Sequence, residues 1–324
     1  MKISIVIPTY NRVESLKRVV SALYAQTSYP VDEFELIVVS DGSTDGTIDY
    51  LRQLTPPFPL VPIQQKNQGP AAARNTGVGA ARGEIILFLD DDVVPAPQLI
   101  SEHYRLFCEH GDGIVVLGPM ITPADTVLSP WVDWEQNMLV KQYEAMSRGD
   151  WEPTGRQFYT GNSSVYRRHL LAQGGFDSSF KRAEDVELAF RLEKQGLRFY
   201  FNPQAVGYHY AQRSFASWIG IAYAYGSNDV IFHQKKGQTW LLPTIKKEFF
   251  QRNPFIRILS NLCVDHPQAA KLAIYLLKQA ALISYRLNLK RASGMALSGI
   301  YNLRYYQGIA DQLGGWKKLF QGNF

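Results

Sequence analysis

The chain has 324 residues, of which 46% are hydrophobic and 19% are charged, and its formal net charge is +5. This composition excludes a disordered chain and is sufficient for one large domain with an accessory region. The two cysteines, Cys108 and Cys263, are too few for a disulfide framework, which favours a reducing, cytoplasmic compartment.

Charge is distributed unevenly along the chain. Residues 231–324 contain 14 Lys and Arg against 3 Asp and Glu, a net charge of +11, so residues 1–230 have a net charge of −6. The asymmetry predicts two parts, a first domain over 1–230 and a basic region over 231–324.

Strands and helices are predicted to alternate along the first hundred residues. Apolar runs predict the strands and apolar residues at helical spacing predict the helices; the first run is too short for a secretion signal. In chain order these are a strand at 3–8, a helix at 11–26, a strand at 35–39, a helix at 47–54, a strand at 61–65, a helix at 71–81 and a strand at 84–89. Such alternation predicts an α/β fold with an open, mostly parallel sheet and helices on both faces.

Polar residues follow three of the predicted strands. They are Thr9, Asn11, Asp41, Asp45 and the run Asp90-Asp91-Asp92. Because the carboxyl ends of parallel strands meet at one edge of a sheet, where ligands bind, these side chains are expected to converge. Adjacent carboxylates repel one another, so a divalent cation with a preference for oxygen ligands is expected at the aspartate run, against the alternative of a solvated acidic turn.

Two of these positions and one arginine have specific expectations. Asp45 precedes a glycine and is assigned to a turn or helix cap. Asp41 directly follows a strand, where its carboxylate can accept a hydrogen bond from the ring N–H of a base. Arg74 follows Gly69, Pro70 and a run of alanines, which permits close approach of a diphosphate, although a surface salt bridge is the alternative.

Seven segments, in this order, resemble motifs of the family 2 glycosyltransferases with the GT-A fold. They are residues 5–12 (IVIPTYNR), 38–47 (VVSDGSTDGT), 67–75 (NQGPAAARN), 88–92 (FLDDD), 160–164 (TGNSS), 174–177 (GGFD) and 182–188 (RAEDVEL). The resemblance covers about residues 1–230. It implies a GT-A nucleotide-diphospho-sugar-binding domain there, with a nucleotide-binding half at 1–100 and an acceptor half at 101–230.

The family resemblance also implies an activity. The expected reaction is an inverting transfer of a sugar from a nucleotide-diphosphate sugar, with a UDP-sugar favoured, to the hydroxyl of a saccharide or lipid-linked saccharide. Synthesis of cell-surface polysaccharide or glycolipid is the expected context. A cofactor, Mn²⁺ or Mg²⁺, is expected to stabilise the departing diphosphate.

The resemblance assigns roles to individual residues. Asp92 is the expected metal ligand, and Asp90 and His209 are further candidates, although a structural role for His209 is an open alternative. Asp185, in the first turn of a predicted helix, is the expected catalytic base, with Glu184 as its competitor. The expected donor-binding residues are Pro8, Thr9, Asn11, Asp41, Arg74, Asp90, Asp91, Gly161 and Asn162.

The basic region lies outside the resemblance. Residues 268–288 are predicted to be helical, with apolar residues all round and Lys271, Lys278 and Arg286 on one stripe. The lysines argue against a spanning helix, so peripheral attachment to an anionic membrane on its cytoplasmic face is expected. Nucleic acid is not an expected partner, because the aromatic and aliphatic residues of this region favour lipid or protein contacts.

Two alternative functions remain open at this point. A nucleotidyltransferase would also place aspartates and a metal on a nucleotide-binding sheet, but residues 8–12 lack the basic, glycine-rich phosphate loop expected after its first strand. A non-catalytic scaffold that binds nucleotide sugars is the second alternative, and retention of both Asp92 and Asp185 argues against it.

Overall fold

The computed structural model describes residues 1–26 and 28–322. Thr27, Asn323 and Phe324 lie outside the described residues, and with them the last two positions of the predicted basic region. The strands are β1 (Ile3–Thr9), β2 (Phe34–Asp41), β3 (Leu60–Gln65), β4 (Ile85–Leu89), β5 (Val93–Pro95), β6 (Ile114–Leu117), β7 (Met120–Ile121), β8 (Asn162–Tyr166), β9 (Arg198–Phe201) and β10 (Gly207–His209).

Helices alternate with these strands in the first half of the chain and occupy most of the second half. They are α1 (Val13–Tyr24), α2 (Thr47–Gln53), α3 (Pro70–Ala80), α4 (Leu99–His110), α5 (Pro130–Ser147), α6 (Arg167–Ala172), α7 (Glu184–Lys194), α8 (Phe215–Lys235), α9 (Leu241–Gln251), α10 (Pro254–Cys263), α11 (Pro267–Arg286), α12 (Lys290–Leu313) and α13 (Lys318–Gln321). The predicted helices of the first hundred residues and of residues 268–288 are confirmed, with small shifts at their ends.

The main sheet has the strand order β3-β2-β1-β4-β8-β6-β9, and a small sheet has the order β5-β10-β7. In the main sheet β8 pairs antiparallel with both β4 and β6, whereas the remaining neighbours are parallel. The predicted open, mostly parallel sheet is therefore confirmed. Because β8 runs in the opposite direction, its amino-terminal end lies at the edge where β1, β2 and β4 have their carboxyl ends.

Both faces of the main sheet are covered by helices. Successive side chains of a strand point to opposite faces, so Ile5 of β1 packs in the cluster that contains Leu16 of α1, whereas Val6 packs in the cluster that contains Val78 of α3 and Leu188 of α7. These strands are buried on both faces, which explains why their sequences are continuous apolar runs.

The chain divides into two compact units. The first comprises Met1–Thr126 and Met138–Ala211, and the second comprises Val127–Asn137 and the chain from Gln212 onward. The expected limit of the catalytic domain at residue 230 differs from this division, because residue 230 lies inside α8, which packs along its length on α12 within the second unit.

The second unit is helical and has its own aromatic core. Phe249 contacts the rings of both Tyr306 and Trp316 there. Among the described residues, no helix of either unit combines the length and hydrophobicity needed to cross a bilayer.

Two glycines permit the close contact between α8 and α12. A Cβ atom at Gly226 would collide with the carbonyl oxygen of Tyr305, and one at Gly308 would collide with the carbonyl oxygen of Tyr223. The backbones of the two helices therefore approach at these positions more closely than any other residue would allow.

We expect Gly226→Ala to lower the free energy of unfolding of the protein by about 1–3 kcal/mol, because the added methyl group must push α8 and α12 apart. Chemical denaturation followed by far-UV circular dichroism measures the change. Gly220→Ala is the matched control, since Gly220 lies on the same helix with no atom within 4 Å of its Cβ position. The control is expected to be neutral or slightly stabilising, and an equal loss in both variants would contradict the packing explanation.

Candidate active site

Polar side chains converge at one edge of the main sheet. Thr9 ends β1, Asp41 ends β2, and the Asp90–Asp92 run directly follows β4. Gly161 immediately precedes β8 and lies at the same edge because that strand is antiparallel; its carbonyl oxygen accepts a hydrogen bond from the Asp90 amide at 3.4 Å. The expected convergence of these positions is therefore observed.

Arg12 bridges two of the three aspartates. Its guanidinium lies 2.7 Å from Asp91 Oδ1 and 3.0 Å from Asp92 Oδ2, and Thr9 Oγ1 donates to Asp91 Oδ2 at 2.7 Å. Burial raises the pKa of Asp91 to about 6 against the opposing effect of Arg12. Although burial acts in the same direction on Asp92, the facing His209 imidazole and Arg12 lower the pKa of Asp92 to about 2. Asp92 is therefore an anion throughout the neutral range.

His209 lies beside Asp92 because their strands pair. β10 is antiparallel to β5 with His209 opposite Val93, which places His209 Nε2 at 3.6 Å from Asp92 Oδ1. The other ring nitrogen, Nδ1, is buried without a hydrogen-bond partner. An anionic carboxylate next to an imidazole is a suitable partial ligand set for a divalent cation, which is commonly bound by one or two carboxylates together with substrate phosphates.

The predicted three-residue metal site of Asp92, Asp90 and His209 is not formed as expected. Asp92 and His209 are adjacent, but Asp90 turns away to Arg74, with Oδ1 at 2.9 Å from Arg74 Nη2. Among the described residues, no group of three or more His, Cys, Asp and Glu side chains is arranged to bind a metal. The correction has a simple cause, since a buried guanidinium competes for the Asp90 carboxylate.

Arg74 connects the aspartate run to α7. The side chain is buried, its Nη1 donates to Glu184 Oε1 at 2.8 Å, and its Nη2 donates to Asp90. Its Nε is buried without a partner. Both terminal nitrogens are thus engaged by carboxylates, so the ion pair with Glu184 takes the place of the direct diphosphate contact that the sequence suggested. Removing one partner of such a buried pair typically costs about 3–5 kcal/mol.

Asp185 lies in the first turn of α7 beside this ion-pair network. Burial, then the charge of Glu184, raises the pKa of Asp185 to about 7, while Arg74 acts in the opposite direction. The turn is held in an unusual conformation, because Ala183 precedes α7 with φ of 59°, in the left-handed region that costs a non-glycine residue about 1–3 kcal/mol. A carboxylate whose pKa is raised toward neutrality is a candidate for proton transfer.

The loop after β2 is fixed by hydrogen bonds at both of its ends. Asp41 Oδ1 accepts from the side chain of Gln65 at 2.7 Å and from the amide of Gln68 at 3.0 Å, and Oδ2 accepts from the amide of Gly69 at 2.8 Å. Asn11 Oδ1 accepts from the amide of Thr44 at 2.8 Å. Asp41 therefore retains acceptor capacity on Oδ2, whereas Asn11 is engaged in positioning the loop.

Asp45 caps this segment rather than facing the cluster of aspartates. It accepts hydrogen bonds from the amide of Val13, at 2.8 Å, and from the hydroxyl of Thr47, at 2.5 Å. These contacts agree with its assignment to a turn or cap.

Gly161 and Asn162 have different environments although they are adjacent. A Cβ atom at Gly161 would lie 2.5 Å from Met120 Sδ and 3.0 Å from Asp90 Oδ2, so a larger residue here would have to displace the Met120 side chain. The side chain of Asn162 is only 1% exposed; it donates to two carbonyl oxygens and accepts from His103 Nε2 at 2.9 Å. Both amide hydrogens and the side-chain oxygen are engaged within the buried protein, so the side chain has a structural role in place of the expected contact with a donor.

Pro8 and Arg12 complete the set of residues at this edge. Pro8 lies inside β1, paired in register with Val39 of β2, and offers no side-chain donor or acceptor. Arg12 is a charged residue of the cluster to which the sequence analysis gave no role. Its position in the sequence could have indicated a role, because Arg12 follows the end of β1 by three residues. That strand end lies at the edge of the sheet where the acidic residues converge.

Comparison with known proteins identifies the family. The profile of the Glycosyl transferase family 2 matches residues 4–175, more than half of the chain. The chain belongs to glycosyltransferase family 2. Family membership argues against the nucleotidyltransferase alternative. The expectation that the chain is a glycosyltransferase is confirmed.

Individual relatives agree with the family. The chain is 29% identical over 257 residues to the uncharacterized glycosyltransferase YfnE of Bacillus subtilis, in an alignment that covers 64% of each chain. Less than two thirds of that relative's length is therefore matched.

Solved structures show the same fold. A mannosyltransferase, PcManGT, from Pyrobaculum calidifontis in complex with GDP-Man and Mn²⁺ has a TM-score of 0.61 and 21% identity, covering 94% of this chain and 86% of that one. S. aureus TarS residues 1–349 in complex with UDP have a TM-score of 0.57 and 18% identity, covering 97% and 92%. At 18% and 21% identity the likeness shows the fold alone. The predicted GT-A fold of this family 2 glycosyltransferase is confirmed.

Proposed function

We propose that this chain transfers a sugar, with inversion, from a nucleotide-diphosphate sugar to an acceptor hydroxyl, with Asp185 as the catalytic base. The observation that supports the proposal most directly is the position of Asp185 in the first turn of α7, next to the network of Arg74, Glu184 and Asp90. Burial there raises the pKa of Asp185 to about 7. Inversion needs one base on the face of the sugar opposite the leaving group, and a pKa near the working pH is optimal for such a base.

The donor is proposed to lie along the carboxyl-terminal edge of β1, β2 and β4. Asp41, oriented by three hydrogen-bond donors, would accept from a ring N–H of the base, and the Asp90–Asp91 pair would face the ribose. A UDP-sugar is the proposed donor, since uracil offers such an N–H. TarS in complex with UDP and PcManGT in complex with GDP-Man show that both kinds of nucleotide occur on this fold.

A divalent cation, Mn²⁺ or Mg²⁺, is proposed to bind at Asp92 with His209 as its neighbour. The cation would neutralise the charge that develops on the departing diphosphate. Arg12 would then keep its contact with Asp91 and leave Asp92 available. Arg74 is proposed to hold Glu184 and Asp90 in position, and so to maintain the orientation of the turn that presents Asp185.

The acceptor is proposed to be a saccharide or lipid-linked saccharide used for cell-surface polysaccharide or glycolipid, at the cytoplasmic face of a membrane. The net charge of +11 in residues 231–324 supports attachment to an anionic surface. We assign donor binding chiefly to residues 1–100, acceptor binding to the remainder of the first unit up to Ala211, and membrane attachment to the basic residues 231–324 of the second unit.

A screen of nucleotide sugars tests the proposed donor chemistry without knowledge of the acceptor. UDP-, GDP- and dTDP-sugars are incubated with the protein and Mn²⁺, and release of the nucleoside diphosphate is measured. We expect slow hydrolysis of one nucleotide class, with UDP-sugars hydrolysed most, and loss of this hydrolysis on chelation. Equal hydrolysis with and without metal would contradict the metal assignment, and failure of every donor both to bind and to be hydrolysed would contradict the enzyme proposal.

The pH dependence of the transfer reaction should report the ionisation of Asp185. A base must be deprotonated to act, so kcat/KM is expected to fall as the pH drops below about 7. Glu184→Gln removes a negative charge next to Asp185 and leaves the positive charge of Arg74 less neutralised. The charge of Asp90, which also raises the pKa of Asp185, is unchanged. The pKa of Asp185 should then be lower, and the acidic limb of the kcat/KM profile should move to lower pH. An unmoved limb in a folded Glu184→Gln variant would show that another group is the base.

A further inference from the structure

Helix α11 presents a row of apolar side chains to solvent. Its inner side is occupied by Ala270 and Ala281, the two buried residues of the helix. On the opposite side Leu272, Leu276 and Ile283 are each more than half exposed. The separations of four and seven residues keep these side chains on one face of a helix. The row is thus a second, unpartnered apolar face on a helix that already packs inward against α12.

The neighbouring elements carry further exposed apolar residues, and α10 packs beside α11. Leu287 lies four residues beyond Ile283, in the connection to α12, and is 64% exposed. On α10, Ile258 and Leu262 are exposed to a similar degree and lie one turn apart. A contiguous apolar surface that remains exposed on a folded protein usually marks an interaction site. We call the six residues Ile258, Leu262, Leu272, Leu276, Ile283 and Leu287 the α10–α11 face.

Charge along the segment that carries the face is mostly positive, although Asp133 of α5 contacts Tyr285 of α11. Residues 254–291 contain six basic residues and one acidic residue, Asp265. That one carboxylate is engaged, since both of its oxygens accept from the amide of Trp316. Lys271 and Arg286 are exposed near the two ends of α11, and Lys290 is exposed just beyond it.

One lysine departs from the basic stripe that the sequence predicted. Lys278 Nζ lies 4.5 Å from the centroid of the Phe215 ring, so this ammonium group packs against the second unit's own core. The cations that remain available are therefore near the ends of α11, and the middle of the exposed face is apolar. An apolar centre with cations at its margins is the pattern of a helix that lies in a membrane interface.

We propose that the α10–α11 face docks on an anionic lipid bilayer, with α11 lying parallel to the membrane surface. The apolar residues would enter the boundary between headgroups and acyl chains, and Lys271, Arg286 and Lys290 would contact anionic headgroups. Tyr275, 59% exposed on α11, would suit a protein partner as well as a membrane interface. The lysines at the margin favour lipid, because lysine is depleted in protein interfaces. The inference refines the membrane attachment of the proposed function by assigning it to one surface.

Vesicle binding by the full-length protein, in the absence of any nucleotide sugar, tests the proposal. Vesicles of pure phosphatidylcholine and vesicles that contain phosphatidylglycerol are compared by flotation. We expect binding to the anionic vesicles, little binding to the neutral ones, and weaker binding at high NaCl concentration. In the double variant Leu276→Glu/Ile283→Glu, binding to the anionic vesicles should fall by about tenfold or more, because acidic groups enter the apolar centre.

Controls separate the face from general effects. Leu171→Glu is the matched variant, because Leu171 is a 51% exposed leucine on α6 in the first unit, and its vesicle binding should equal that of the unchanged protein. Arg286→Glu/Lys290→Glu provides a second test that leaves the apolar residues intact and should weaken only the binding to anionic vesicles. Thermal melting and hydrolysis of a soluble nucleotide sugar verify that each variant is folded.

Three outcomes would overturn the proposal. The first is equal binding by the unchanged protein and both double variants, and the second is absence of binding to anionic vesicles. The third is a dimer, detected by light scattering, that becomes a monomer in Leu276→Glu/Ile283→Glu, which would assign the face to a second copy of the chain. Failure of the donor screen would leave vesicle binding unchanged, so the two proposals are tested separately.

Discussion

Asp185→Asn is expected to reduce sugar transfer by about 10²- to 10⁴-fold while donor binding is retained. The amide has nearly the same shape as the carboxylate but cannot accept a proton from the acceptor hydroxyl. Steady-state transfer assays measure kcat, and calorimetric titration with the nucleotide sugar and Mn²⁺ measures donor affinity. The loss should lie in kcat, because the base acts in the chemical step.

Glu184→Gln is the matched control for this substitution, since it removes one carboxylate from the adjacent position of the same turn. The amide oxygen introduced by Glu184→Gln can still accept from Arg74 Nη1, and Arg74 keeps its contact with Asp90, so the site should remain assembled. We expect Glu184→Gln to retain far more activity than Asp185→Asn at neutral pH. Near-native turnover of Asp185→Asn, or the reverse order of the two variants, would assign the base to Glu184 or to another residue.

Asp92→Ala is expected to abolish the contribution of the metal to donor binding. Asp92 is anionic at neutral pH, with its pKa lowered to about 2, and it faces His209. Since a bound cation stabilises diphosphate charge by several kcal/mol, donor affinity in Mn²⁺ should fall by about 100-fold or more. Calorimetry with UDP, in Mn²⁺ and in chelator, measures the difference for each variant.

Asp32→Ala is the control for the loss of one negative charge, because Asp32 is exposed before β2, at the opposite edge of the sheet. Its affinities should match those of the unchanged protein in both buffers. The affinity of Asp92→Ala in chelator should also be close to that of the unchanged protein in chelator. If UDP binds the unchanged protein equally well in Mn²⁺ and in chelator, Asp92 is not the metal ligand.

The fold was largely predictable from sequence because its strands are buried on both faces. The largely apolar runs at Ile3–Thr9 and Ile85–Leu89 are typical of strands buried in a sheet. Their alternation with amphipathic helices favours parallel pairing. The reversed direction of β8 was not predictable in this way. The sequence of a short strand such as Asn162–Tyr166 does not specify whether it pairs parallel or antiparallel with its neighbours. The direction of pairing depends on the path of the chain that connects the strands.

The site was predictable as a set of positions but not as a set of contacts. Residues that follow parallel strands must meet at one edge, which located Thr9, Asp41 and Asp90–Asp92 correctly at that edge. Side-chain directions are decided by competition among neighbours, and the sequence does not rank those neighbours. Asp90 turned to Arg74 for this reason, and Arg12, with no predicted role, became the partner of Asp91 and Asp92.

The bridge formed by Arg12 offsets part of the negative charge of Asp91 and Asp92 before any ligand binds. The Asp92 carboxylate is already paired with Arg12, so a cation that binds there must displace the guanidinium. The apparent affinity of Asp92 for a metal therefore includes the cost of breaking this ion pair. The diphosphate of an incoming donor can shift that exchange, because it attracts both the cation and the released guanidinium. Metal and donor should therefore bind cooperatively, each increasing the occupancy of the other.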